Sequence, residues 1–181
     1  VRADAPVPVP GELLRWLRQE LRLFGERSQH LPVSRWATPA APFATRADTA
    51  FHLAAVVAGA ALAVEGQPFR SLPRLDPVVT PDQIDVVGRD LTTALADPRE
   101  PVDWCGRRWD AAGLTAAVLA EVLLHRTDLD GSPPPPAALA VLRAVPDWAR
   151  IGSAKPDPAA AFRQLARSRC PGPPGAPAPP S

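Results

Sequence analysis

Near the middle of the chain, Leu114, Val118, Glu121, His125 and Asp128 follow one another at helical intervals of four, three, four and three residues. Residues so spaced share one face of a helix. Leu114 and Val118 mark that face as inward, while Thr115 and Arg126 lie elsewhere on the helix. Glu121 and His125 therefore carry a charged and a titratable group into an expected core. A carboxylate in an apolar interior needs a cation or donors beside it, and one turn of helix lets both side chains aim at a single atom. A third group is available upstream: His52 shares a stripe with Val56, Gly59 and Ala63, and Gly59 is expected to leave room beside it. Two imidazoles and a carboxylate converging between helices make a three-ligand set with a coordination position to spare, the pattern of catalytic rather than structural zinc. Zinc is the favoured ion, and nickel or another borderline divalent metal also suits such ligands. Two plainer arrangements use the same residues, a hydrogen-bonded core histidine and a buried Glu121–His125 ion pair.

Positioning these groups requires helices, and the sequence offers little else. No stretch alternates apolar and polar residues convincingly, so the fold is read as all-α. A first helix spans Gly11 to Arg27, with Leu13, Leu14, Leu17, Leu21 and Phe24 on its apolar stripe and Arg15, Arg18, Gln19 and Arg22 opposite. A loop from Leu31 to Thr45 carries Trp36 and Phe43, large enough to cover a core edge. The second helix runs from Arg46 to Glu65 and stops at Gly66. The third begins with Thr80 as its cap and Pro81 at its first position, and ends at Asp97-Pro98. After a loop holding Trp104, Cys105 and Trp109, the fourth runs from Asp110 to Thr127. A short fifth helix, Ala137 to Val145, packs outside through Leu139, Leu142 and Val145. The expected organisation is a flexible leader (residues 1–10), a helical bundle (11–152) and an appendage (153–181). In the appendage, Ala159 to Arg169 could form a helix and the Pro-rich end, Pro171 to Ser181, is expected to be disordered.

Composition narrows the function. The 181 residues carry a formal net charge of +1, with acids and bases interspersed, which argues against general nucleic-acid binding. Pro is abundant, at 25 residues, and punctuates the helices. Cys105 and Cys170 have no metal-type spacing, and two cysteines make a poor disulfide framework. The most apolar run, Leu53 to Val64, falls short of the roughly 20 residues that a membrane span needs, and the beginning of the sequence has no secretory pattern. A cytoplasmic protein without a membrane partner is expected.

At the two histidine segments the sequence resembles a known family. LAEVLLHRTDL (Leu119 to Leu129), followed by a Pro-rich turn and PAALAVL, is similar to the late-helix signature of mycothiol-dependent maleylpyruvate isomerase-like proteins: a Glu, three residues, a His, and an Asp three further on. TRADTAFHLAAVVA, preceded by Trp36, is similar to the same family's second-helix element. These proteins belong to the DinB-like superfamily of four-helix bundles. The resemblance implies a DinB-like four-helix bundle with a short extra helix over roughly residues 11–150, with His52, Glu121 and His125 binding a divalent metal. Asp128 is then expected to orient a ligand or cap the helix rather than bind the ion. The family's chemistry uses the metal to hold a low-molecular-weight thiol, mycothiol, as thiolate and deliver it to a small electrophile. The resemblance implies an S-transferase or isomerase-like enzyme, but full-length isomerases of the family carry a second domain after the bundle, for which about 30 residues leave no space, so a stand-alone thiol S-transferase or an orphan bundle is expected over an isomerase proper.

The competing reading is a non-catalytic helical interaction module in which the metal set is a relic or a structural clip and the Pro-rich tail engages a partner. Other residues invite weaker roles. Cys105 would be a reactive thiol if a helix N-terminus lowered its pKa, Arg107 and Arg108 could reach an anionic substrate, and His30 is expected in solvent.

Overall fold

In a computed structural model of the chain, residues 10–41, 43–97, 100–105 and 107–145 are described. The protein is all-α over these residues apart from one short hairpin. The helices are α1 (Pro10–Gln29), α2 (Val33–Trp36), α3 (Arg46–Val64), α4 (Thr80–Ala94), α5 (Ala111–Asp130) and α6 (Pro136–Arg143). The expected first to fifth helices are thus α1, α3, α4, α5 and α6, with the single turn α2 inserted in the Leu31–Thr45 loop. The expected leader and appendage, Cys170 and the Ala159–Arg169 segment lie outside the described residues.

Contacts between the helices fix the topology. Arg18 donates to the Thr92 carbonyl at 3.2 Å, while a Cβ at Gly25 would meet the Pro81 carbonyl, so α1 and α4 are antiparallel. Glu20 pairs with Arg126 and Arg27 pairs with Asp130 at 2.7 Å, so α1 and α5 are parallel. His52 meets Glu121 and His125, whereas Val64 and Leu114 line one small pocket at the other end, so α3 and α5 are antiparallel. It follows that α3 and α4, which are neighbours in the bundle, point the same way. The arrangement is up-down-down-up, with α1 opposite α3 and α4 opposite α5.

Parallel neighbours need a long crossover. A 19-residue helix is about 28 Å long, and residues 65–79 supply the return. Phe69 of this strap reaches Gly59, Arg74 pairs with Asp48 and lies 5.1 Å over the Phe51 ring, and Gln83 donates to the Pro73 carbonyl at 3.0 Å. The strap therefore runs back along α3 to the start of α4. It also changes how α4 begins. Thr80 is not the cap expected from sequence: a 3-10 turn over Pro77–Val79, whose own cap is Asp76 through the Val78 N–H, leads straight into the helix.

The core is built from Leu13, Leu17 and Phe24 of α1, Leu53 of α3, Ile84 and Leu91 of α4, and a long row of leucines on α5. One inward face does not describe α5. Every residue from Leu114 to Arg126 is buried, including Thr115 and Arg126, because α1 and α3 flank it on either side. A helix apolar on all sides belongs in the middle of a protein. On α6, Leu142 and Val145 are buried as expected, joined by Ala138, while Leu139 is half-buried.

Three further local findings correct the sequence reading. Trp104, Cys105 and Trp109 belong to an antiparallel hairpin, β1 (Val102–Trp104) and β2 (Arg107–Trp109), and not to an irregular loop. Cys105 turns its corner with φ 50°, a strained position for a side-chain-bearing residue. Three-residue strands are too short to show alternation in sequence. Gly59 faces this hairpin and the strap, since a Cβ there would stand 3.6 Å from Trp104 Nε1 and 3.7 Å from the Phe69 ring. It makes room for those aromatics, and not for His52. Finally, α3 is long and apolar enough to cross a membrane, beyond the 12-residue run seen in sequence, yet 61% of its apolar window is buried inside the bundle.

Candidate metal centre

Two helix ends bring the site together. Thr45 caps α3: its hydroxyl oxygen accepts from the Asp48 N–H at 3.1 Å, and the hydroxyl donates to the Asp48 carboxylate at 2.7 Å. Thr45 and Arg74 hold Asp48 below the usual carboxylate range despite the opposing effect of burial. His52 follows one turn later. At the other end of α5, Asp110 caps the start and Gly131 closes the helix with φ 76°, a left-handed conformation that favours glycine. Glu121, His125 and Asp128 occupy the last turns before that stop.

The structure brings the three sequence-derived ligands together. One ligand atom from each of His52, Glu121 and His125 lies within 4.8 Å of the others. Two atoms bound to one zinc ion are at most about 4.2 Å apart, and His125 Nε2 and Glu121 Oε2, at 3.3 Å, already satisfy that limit. The imidazoles of His52 and His125 meet edge to face with centroids 5.2 Å apart. Such a cluster could hold a divalent ion.

His125 carries the clearest sign of an incomplete site. Its Nε2 faces Glu121 and its Nδ1 lies 3.5 Å from Asp128 Oδ2, but neither ring nitrogen makes a hydrogen bond of acceptable geometry, and Asp128 Oδ2 is likewise unpartnered. Buried groups of this kind normally find partners. An ion accepting the Nε2 lone pair would give that nitrogen a partner, with Asp128 placed to orient the ring from the Nδ1 side. Placement on α5 adds to the demand for positive charge. The C-terminal end of a helix favours cations, yet this end bears Asp128 and Asp130 and has no basic residue in its last turn.

Electrostatics separates the two imidazoles. Burial, reinforced by the neighbouring His125, pushes His52 down to about 4, so it is neutral at ordinary pH and its lone pair is available. Burial also opposes a charge on His125, but Asp128 and Glu121 together outweigh it and raise that pKa. Glu121 and His125 are only 4% and 2% exposed, whereas His52 is half-buried, so the site faces solvent on the His52 side.

Sequence reasoning missed three residues here. Phe43, expected to cover a core edge, packs on the site itself, with ring centroids 4.9 Å from His52 and 5.5 Å from His125. Glu20 and Arg126 form a second buried polar group beside it, in which Arg126 also donates to the Pro133 carbonyl at 3.0 Å. Glu20 was legible, since it lies three residues after Leu17 and four before Phe24 on the apolar stripe of α1. The remaining candidates are not brought to the centre. His30 is exposed and its ring meets the Glu26 carbonyl, Arg108 pairs loosely with Asp103 at 3.5 Å on the exposed hairpin, and Cys105 packs at the hairpin corner.

No protein-family model, curated protein or solved structure matches this chain.

Proposed function

We propose that this bundle is a divalent-metal protein, His52, Glu121 and His125 being the ligands, and that it uses the metal to activate a small thiol for transfer to an electrophile. The observation that carries this reading is His125, buried between two carboxylates with neither ring nitrogen hydrogen-bonded. Zinc is the ion proposed, and two imidazoles with one carboxylate suit nickel and other borderline divalent metals as well. When bound, it supplies Lewis acidity that favours the thiolate over the thiol. The chain's own part is to keep His52 neutral, to fix the His125 ring through Asp128 and to leave the His52 side open to a ligand. The likeness to mycothiol-dependent maleylpyruvate isomerase-like proteins supports mycothiol as the thiol, and an S-transferase or isomerase-like reaction.

Metal analysis of protein purified without chelators tests the first half of this reading, with about one equivalent of divalent metal per chain expected. Calorimetric titration with mycothiol tests the second: binding to the metal-loaded chain, and none to His125→Ala. A chain that carries and takes up no metal overturns the proposal.

A second reading, an interaction module with a structural metal clip, draws on the exposed Val33, Phe69, Leu75, Val78 and Val86. It predicts one equivalent of metal without thiol binding.

A further inference from the structure

We infer that Phe43 sets the size of ligand that reaches the open coordination position, restricting it to unbranched groups such as a primary thiolate. The inference rests on the metal-centre reading above. Phe43 comes from the turn before α3, where its N–H donates to the Ala40 carbonyl at 2.9 Å and the two residues form an isolated bridge. That turn fixes the backbone from which the ring projects, and the two imidazoles pack against the ring itself. The ring lies on both imidazoles, at 4.9 Å from His52 with a tilt of 39° and at 5.5 Å from His125 nearly edge-on. Rings at these separations are in van der Waals contact, which leaves no gap for another group between them.

The surroundings give the ring this role. Glu121 and His125 are closed off from solvent, and His52, half-buried, is the ligand nearest to it. Phe43, also half-buried, therefore borders the approach to the cluster. A ligand arriving past His52 must slide along the edge of the ring, and a substituent next to its donor atom meets Phe43 before the donor can reach the ion. Hydrophobic walls discriminate modestly, by about 10- to 200-fold per methylene-sized group.

The test uses the whole chain loaded with cobalt(II), whose sulfur-to-metal absorption reports thiolate binding directly. A primary thiol (2-mercaptoethanol) and a tertiary thiol (2-methyl-2-propanethiol) are titrated into the parent, Phe43→Ala and Phe43→Leu. The parent is expected to favour the primary thiol by at least about tenfold beyond the ratio for a free cobalt–imidazole complex. Phe43→Ala is expected to bring the ratio close to that reference, with Phe43→Leu between. Equal cobalt content with the same ratio in parent and variants overturns the role of Phe43 while leaving the metal centre standing. Failure of the parent to take up cobalt overturns the metal centre and this inference together. Should Phe43→Ala fail to fold, Phe43→Leu alone decides: an unchanged ratio rejects the inference and a reduced one supports it.

Discussion

Residues 125 and 126 are adjacent on α5 yet belong to two buried polar groups of opposite character. Arg126 reaches α1, where it pairs with Glu20, and its second terminal nitrogen donates to the Pro133 carbonyl. That group is formally neutral and ties α1, α5 and the turn into α6 together. Around His125 the balance differs. Glu121 and Asp128 bring two formal negative charges, and they favour a proton on His125, which offsets only one of them; a divalent cation would offset both. Both groups leave buried polar atoms without a hydrogen bond, Glu20 Oε1 and Arg126 Nε in the first, both His125 nitrogens and Asp128 Oδ2 in the second, but only the first is balanced in formal charge. Burial alone therefore does not mark a site. The mark is a buried group whose formal charge and lone pairs match something the chain does not itself provide.

Removal of His125 should have the largest effect. His125→Ala should lower the metal content from about one equivalent per chain to near zero, as measured by elemental analysis after dialysis, with the helical circular dichroism preserved. Loss of a supporting residue costs metal affinity 10- to 100-fold, and loss of a ligand should exceed that. Metal retained at full stoichiometry would place the ion elsewhere.

The neighbouring position should behave the other way. Arg126→Met strands Glu20 in the interior, and breaking a buried ion pair from one side costs about 3–5 kcal/mol, read from urea unfolding. Folded protein should still bind its metal. Glu20 is a strained partner already, since burial raises its pKa despite the opposing charges of Arg126 and Arg27. The double variant Glu20→Leu/Arg126→Met should therefore recover most of the loss, because apolar groups of similar size often replace such pairs at no cost.

How far the sequence reveals these two groups depends on how each is signalled. The metal set shows because its acid and histidine interrupt an apolar stripe at helical spacing, a local pattern. The helices show for the same reason, and Thr45, Asp110 and Gly131 stand at their ends as capping residues should. Arg126 does not show, because α5 is buried on all sides and a single inward face was assumed for it. The partners of Phe43 and of the strap do not show, since they lie on other elements and only the folded chain brings them near. The hairpin is too short for its period to register, and the stripe spacing of Gly59 suggests the wrong neighbour because spacing along a helix does not say which residue lies across from it.

Acid should distinguish the two imidazoles in the metal-free chain. His52 titrates near 4 when folded and near its ordinary 6.5 when unfolded, so between those values the unfolded chain binds more protons. Its contribution is intact above about pH 6.5 and disappears as the pH falls towards 4, by at most roughly 3 kcal/mol. His125, raised in the folded state, acts oppositely: its contribution is present below 6.5 and is lost as the pH rises through its folded value. Urea midpoints measured across this range on the parent and on His52→Gln should differ in slope on the acid side, with the variant flatter. Parallel curves would mean that His52 is as hydrated as in the unfolded chain.

The smallest effect concerns Asp128, which separates an orienting role from a ligating one. Its Oδ2 stands 3.5 Å from His125 Nδ1, on the side of the ring away from Glu121, and it is not part of the set whose atoms converge. Asp128→Asn keeps the shape and removes the charge that favours an Nδ1–H. If Asp128 only orients the ring, metal affinity should fall about tenfold, the low end for such partners, while the stoichiometry remains one. A competitive titration against a chromophoric chelator resolves a change of that size. If the substitution instead abolishes binding as His125→Ala does, Asp128 belongs among the ligands beside His125.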